Sequence, residues 1–426
     1  MPTLITLGGA SARGFGTSGL VLKVPGAPTG VSASATAYNS ASVSFTAPSD
    51  NGNSPITSYT VTSSPGSITG TGASSPITVS GLTGSTGYTF TVKATNAIGQ
   101  GSASSASTSI TTPAPPVSAI IMVVAGGGGG QRSGGGAGGV LCGTYSLTAG
   151  SVYSVSIGGG GGAVTSTCGY CFVYPGSPNG AGSSFSGPGV SISTTGGGAG
   201  GGCAGGTTSG YGQAGGSGGG TTHNPGVANT AYGGSGVSGQ GNAGGDTYGQ
   251  NCIYTNSLQF GGSSGGGAGG RGFGRLQGRA VCCNASIHSG YMGGAPRTFS
   301  VTGQAFGGGG SGFTQYPYSS AYFNGSSFVS FSYAYCVGTP GPGGGGGHAG
   351  VANNGYGQYA AAGTANTGGG GGGAPYGYDG ISGGGGSGTV LIAATDTPSC
   401  VSGANYLGCY GGKKVYQFTS SGSIKY

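Results

Sequence analysis

The chain has 426 residues and a formal net charge of +7; 112 residues are glycine, there is no Trp, and the only acidic side chains are Asp50, Asp246, Asp379 and Asp396. Glycine at about a quarter of the chain, against a usual share of ~7%, excludes an ordinary close-packed enzyme core. The charge reflects missing carboxylates more than a basic patch: only Arg271, Arg275 and Arg279 come near one another in sequence, so no nucleic-acid surface is expected, and no stretch reaches the ~18 apolar residues of a membrane span.

In chain order, residues 1–24 carry the short β-prone pieces TLITLGG and GLVLKV, too small to fold alone, and are expected to form an attachment segment. The opening MPTLITLGGASARGFG lacks a basic region ahead of an apolar one, so nothing directs secretion by the usual route. Yet all ten cysteines lie beyond residue 140, an even number interleaved with glycine, which suits an environment where disulfides persist. Synthesis in the cytosol followed by release on lysis reconciles the two facts.

Residues 25–114 alternate short Val, Thr, Ser and Ile runs with turn signals such as SDNGNSP and PGSITGTG, the pattern of a β-sandwich of about seven strands. The segment closely resembles a fibronectin type III domain: APTGV at its start, Phe45 where that family usually carries Trp, and GLTGSTGYTFTVKATNAIGQG with Leu82 and Tyr88 at the spacing of a tyrosine corner. The resemblance implies that Tyr88 anchors the corner through its hydroxyl, with Phe90 and Val92 expected on alternate faces. Such modules are spacers or binding scaffolds, and without Arg-Gly-Asp nothing supports integrin-type adhesion.

The second domain, residues 115–426, opens with AIIMVV running into AGGGGGQRSGGGAGG. Framing strands are predicted at about 119–124, 151–157, 389–394 and 414–426, in one antiparallel sheet, with a glycine-rich insertion at about 158–388. At least eight glycine-rich runs recur, including 126–130, 134–139, 158–162, 196–202, 265–270, 307–310, 343–347 and 368–373. Polyglycine is a poor α-helix and a poor isolated strand, because its backbone loses the most entropy on ordering. It suits polyproline-II-type helices, which can pack side by side only where no Cβ intervenes and each N–H finds a carbonyl on a neighbour. The many Tyr, Phe and Cys residues between the runs set them apart from flexible linkers. The expected fold class is therefore all-β: a fibronectin type III-like sandwich, then a glycine-rich domain with a small antiparallel sheet and a bundle of polyproline-II-type glycine helices.

Catalytic chemistry finds little footing. Glycoside hydrolysis needs paired carboxylates, and Asp246, Asp379 and Asp396 each sit in turn-like contexts; His223, His288 and His348 lie in no nucleophile motif. No enzyme activity, cofactor or metal is expected. Cys168 and Cys171 make one isolated zinc-like half-site, Cys282 and Cys283 are adjacent, and Cys400 and Cys409 flank VSGANYLG, which reads as a loop that could close as a hairpin. Cys400 and Cys409 are thus disulfide candidates, with free buried thiols the alternative. Tyrosine offers rigid contact area with a polar tip, so the aromatic spacers are the candidate receptor surface: Tyr170, Phe172 and Tyr174 in CGYCFVYPG, and Tyr316, Tyr318, Tyr322 and Phe323 in GFTQYPYSSAYFNG. The adjoining FVSFSYAYC alternates like one half-buried strand.

The motif IIMVVAGGGGG, followed by GGGAGG and TAGSVYSVSIGGGGG, then far downstream by GGSGTVLIAA and GGKKVYQFTSSGSIKY, resembles the glycine-rich domains of tailed-phage fibre and adhesin proteins. GASARGFG at 9–16 is similar to segments near the start of such virion proteins, whereas the interior from about 163 to 380 matches only in character. The resemblance implies a structural virion protein located at the tail or a surface appendage, extracellular after release, and a homotrimer. Residues 1–24 would then dock to other virion structural proteins, while the glycine-rich region meets a host cell-surface glycan or protein. Two alternatives stand beside it: a capsid or tail decoration protein with no receptor of its own, and a secreted glycine-rich matrix or ice-binding protein.

Overall fold

A computed structural model of the chain describes residues 21–164, 178–202, 210–223, 232–246, 260–272, 292–315, 321–323, 328–330, 335–337, 345–347, 359–374 and 380–426. Among these the regular elements are all strands, in two compact units, Met1–Pro115 and Pro116–Tyr426.

The first unit holds β1 (Thr29–Ala37), β2 (Ser40–Thr46), β3 (Ile56–Ser64), β4 (Thr69–Gly72), β5 (Ile77–Ser80), β6 (Gly87–Asn96) and β7 (Ile110–Thr111). They form two sheets, β1-β2-β5 and β4-β3-β6-β7. Val43, Phe45, Tyr59, Val61, Ile77, Val79, Leu82 and the inward side of β6 fill the core between them. That inward side is Tyr88, Phe90, Val92 and Ala94, so Phe90 and Val92 share a face instead of alternating. Two residues apart in a strand always means the same face. Residues 21–26 are pinned to this sandwich: Lys23 N donates to the Gly52 carbonyl, Gly26 N to that of Asp50, and Asn96 Nδ2 to that of Lys23.

The second unit is built on β8 (Val117–Val124), β9 (Val140–Leu147), β10 (Val152–Ser156), β11 (Ser183–Gly187) and β12 (Val190–Thr194). Eight short strands follow: β13 (Thr222–His223), β14 (Phe260–Gly262), β15 (Arg297–Thr298), β16 (Ala305–Phe306), β17 (Phe313–Gln315), β18 (Ala321–Phe323), β19 (Phe328–Ser330) and β20 (Tyr335–Val337). The unit closes with β21 (Thr389–Ala394), β22 (Cys400–Tyr410) and β23 (Lys413–Lys425). The main sheet runs β12-β11-β10-β23-β21-β8-β9, antiparallel throughout, with β22 also paired to β23.

β23 serves two arms. Lys414 to Phe418 pair with β21 while Gly422 to Lys425 pair with β10, so the sheet folds over on itself there. Ile121, Val123, Val390 and Ile392 from one arm meet Tyr153, Phe185 and Ile192 from the other in a single core, joined by Phe418 and Ile424 of β23. The opposite faces of β8 and β21, Met122, Val124, Leu391 and Ala393, pack against Ala268, Phe299 and Phe306. Burial on both faces is why these two strands read as unbroken apolar runs rather than as alternation.

At one end of this folded sheet, six strand ends run straight into glycine-rich segments: the ends of β8, β10 and β12, and the starts of β9, β11 and β21. Beyond those ends the glycine runs are neither strand nor helix, yet their backbone is paired. Gly134, Gly135, Gly136, Ala137, Gly138 and Gly139 donate in turn to the carbonyls of Ser263, Gly371, Gly198, Gly266, Gly368 and Thr195, at 2.8–3.0 Å. Every third amide therefore returns to the same neighbouring run. The segment 197–201 keeps the same rotation, Gly197 and Gly200 bonding to Gly126 and Gly129, and Gly198 and Gly201 to Ser217 and Gly220. Most of these glycines have no room for a side chain; a Cβ at Gly135 would overlap the Gly128 carbonyl, and one at Gly198 that of Gln213.

Candidate binding surface

Among the described residues no group of three or more His, Cys, Asp or Glu side chains gathers in a metal-binding arrangement. Asp50 is engaged with Lys23 at 2.7 Å; that hydrogen bond, helped by the Gly52 N–H, holds its carboxyl below the usual carboxylate range. Asp396 accepts from the Thr395 hydroxyl, and Asp246 pairs with Arg271. His223 lies on β13, opposite Gly261 of β14, whereas Asp379, His288 and His348 lie outside the described residues.

Of the sequence-predicted receptor residues, Tyr170, Phe172, Tyr174, Tyr316 and Tyr318 lie outside the described residues. Tyr322 and Phe323 fall on β18, in register with Val329 and Phe328 of β19. The stretch read as one strand through FVSFSYAYC is two: β19 pairs with β18, while β20 joins β17 in a separate sheet with β13 and β14.

Cys400 and Cys409 are both free and exposed, and both lie on the single strand β22, opposite Lys425 and Lys414 of β23. The residues between them are extended rather than looped. At ~3.3 Å per strand residue their Cα atoms stand far beyond the ~7 Å a disulfide can span, so a bridge between these two does not fit the fold. Cys409 instead touches the Tyr406 hydroxyl at 3.2 Å, and the Tyr406 and Tyr416 rings lie 5.2 Å apart. The hydrogen bond to Cys409 raises the Tyr406 phenol above its ordinary value; burial does the same for Tyr416.

A different aromatic pair stands on the glycine bundle. Tyr211 and Tyr232 are 56% and 61% exposed and begin two copies of one pattern, YGQAGGSG at 211–218 and YGGSGVSG at 232–239. The copies run side by side. Gly215 and Gly236 form a parallel bridge, Gly215 N donates to the Ser235 carbonyl at 3.1 Å, and Val237 N donates back to that of Gly215 at 3.1 Å. Next to Tyr232, Gly233 N donates to Asp246 Oδ1 at 2.9 Å, and Asp246 Oδ2 meets Arg271 Nη2 at 2.5 Å. Arg271 Nε reaches the Gly244 carbonyl, closing a clamp across three runs. The offset of 21 residues between the copies is the sequence signal for this pair, masked by the abundance of glycine around it.

Residues 26–111 match the fibronectin type III domain family, and the first unit is a domain of that kind, a type that serves as a structural or binding module. Among solved structures, domains from titin are 32% identical over 21% of this chain and 32% of that one, at a TM-score of 0.20. Domains FN1 to FN3 of chicken CNTN1 are 24% identical over 31% of this chain and 48% of that one, at 0.21. The sixth fibronectin type III domain of human fibronectin type III domain containing protein 3 is 21% identical over 22% of this chain and 89% of that one, at 0.19. The chain spans about a third of the length of those titin domains. No curated protein matches it.

Proposed function

We propose that this chain is a structural virion protein, a tail fibre or adhesin that carries its glycine-rich unit outward on a fibronectin type III spacer and presents it to a host surface. The glycine runs act as polyproline-II-type helices packed into a bundle. Supporting this, the runs 134–139 and 197–201 return to the same neighbour every third residue, matching the three residues per turn of that helix, and side-by-side packing leaves no space for a Cβ at most of their glycines. Such a bundle is held by backbone hydrogen bonds, needs no hydrophobic core, and fixes the positions of the segments that join its runs. A rigid frame carrying variable connections is what a recognition protein requires.

The observation that carries the proposal is the gathering of six strand ends at one end of the folded sheet, each continuing into a glycine run. The sheet is then a base and the bundle a display platform. At the other end of the chain, residues 1–24 dock to the particle; Val21, Leu22 and Val24 leave apolar side chains exposed for such a contact. Antibodies raised against residues 116–426 test the assignment by immunogold electron microscopy of particles that encode the chain. Label at the tips of tail appendages is expected. Label spread over the capsid shell would overturn receptor binding in favour of a decoration role.

A further inference from the structure

We propose that Tyr211 and Tyr232 form an aromatic platform on the wall of the glycine bundle that binds neutral sugar rings of a host-surface glycan. The inference rests on the host-facing display set out above and names the ligand class for it.

The bundle places the two rings on equivalent footing. Each lies four residues before the bridged pair Gly215 and Gly236, on neighbouring segments that run in the same direction. The parallel bridge thus puts the two tyrosines at corresponding positions on adjacent segments, both more than half exposed. Beside them are the groups a sugar's hydroxyls need. Gln213 and Ser235 are exposed on the same two segments. Asp246 is held one residue from Tyr232 by the Gly233 N–H, and its partner Arg271 is 57% exposed, leaving guanidinium donors open to a ligand. A pyranose ring has apolar C–H faces and a polar rim, which an aromatic ring flanked by an exposed guanidinium, held in place by the 14% exposed Asp246 carboxylate, complements.

The surroundings favour a sugar over a protein. A stable protein contact buries ~800 Å² on each partner and depends on projecting anchor side chains. Here the wall between the tyrosines is glycine backbone, and among the described residues the side chains beside the rings are few: Gln213, Ala214, Ser235 and Arg271, the last tied down by Asp246. One or two sugar rings fit that scale.

The test uses the full chain on a printed array of bacterial surface polysaccharides, comparing wild type with Tyr211→Ala/Tyr232→Ala and Tyr211→Phe/Tyr232→Phe, with thermal melting as the check on folding. Wild type should bind at least one polysaccharide; the alanine pair should weaken that binding about tenfold or more, and the phenylalanine pair, which keeps the rings, by less than about threefold. Absence of wild-type binding, or full binding by a folded alanine pair, overturns the proposal. Attachment to bacterial cells is measured in parallel after periodate or protease treatment. Loss with protease but not with periodate identifies a protein receptor and sinks the glycan site, while the host-attachment function stands. Tyrosine-dependent glycan binding by a chain that immunogold places over the capsid shell keeps the site and rejects that function.

Discussion

Tyr153 Oη accepts a hydrogen bond from the backbone N–H of Thr148 at 2.7 Å, and Tyr88 Oη accepts one from Thr83 at 2.9 Å across the same interval of five residues. The tyrosine corner of the fibronectin unit therefore recurs in the glycine-rich unit. Both corners carry the pattern Leu-Thr-x4-Tyr, and Leu82 and Leu147 are both buried. In each unit the phenol pins the chain just before a core strand begins. Tyr153 goes further: it donates to the Pro188 carbonyl at 3.2 Å and stacks on Phe185 at 5.3 Å.

Tyr153→Phe keeps the stacked ring but strands the Thr148 N–H and the Pro188 carbonyl. It should destabilise the glycine-rich unit by ~1–3 kcal/mol. Calorimetry of the full chain should show the transition of that unit lowered and that of the fibronectin unit unmoved; Tyr88→Phe should reverse the pattern. A Tyr153→Phe chain that melts like the parent would show that the corner contributes no stability.

Neighbouring glycines should respond oppositely. A Cβ at Gly159 would meet nothing within 4 Å, whereas one at Gly160 would overlap the Gly385 carbonyl. Gly159→Ala is expected to be neutral or to stabilise by up to ~1 kcal/mol, by restricting the unfolded chain. Gly160→Ala should cost ~1–3 kcal/mol, the scale of an overpacked site. Gly370→Val with Gly371→Val meets the Gly135 and Gly383 carbonyls and should cost more than ~3 kcal/mol. Equal melting temperatures for Gly159→Ala and Gly160→Ala would refute close backbone packing of these runs.

The strands flanking the glycine-rich stretch are legible because apolar residues such as Ile121, Val123, Val390 and Ile392 dominate them, and Tyr88 is legible from its spacing to Leu82. β9 is harder to read: VLCGTYSL mixes a glycine and polar residues, and its alternation serves a strand buried on one side only. The folding of the sheet through β23 escapes the sequence because it depends on which stretch pairs with β21 and which with β10, a long-range choice without local signature. VSGANYLG reads as a loop because Gly, Ser and Asn favour turns; pairing with β23 overrides that preference, absorbing the irregularity in register shifts near Gly403 and Gly408, both at positive φ. Tyr211 and Tyr232 become a site only when two distant copies of a weak repeat are laid side by side.

The Tyr426 hydroxyl is buried with no hydrogen-bond partner among the described residues. Burial, reinforced by Tyr416 and Asp396, pushes its pKa above the ordinary phenol value. The neutral phenol is thus favoured in the fold. Its contribution is complete below the unfolded value of ~10 and is lost as pH rises beyond that toward the folded value. Tyr426→Phe should leave stability at pH 7 unchanged or raise it by ~1 kcal/mol, since it removes an unpaired polar atom. It should also make the decline above pH 10 shallower, as read by urea unfolding across the alkaline range.

Alkylation followed by mass spectrometry should find Cys400 and Cys409 both modified without prior reduction. Cys142 should react more slowly at pH 8, because burial raises its thiol pKa, although Arg297 partly offsets this. Recovery of a Cys400–Cys409 crosslinked peptide would contradict the continuous strand β22.

The rotation of amides along 134–139 gives the bundle a reading frame of its own. One residue inserted into that run would send every later amide to the wrong neighbour, and two would do the same. An insertion of three would return each amide to its original neighbouring run, one turn further along. Relatives of this chain should therefore differ in the length of their glycine runs by multiples of three, while the connections between runs drift freely in length and composition.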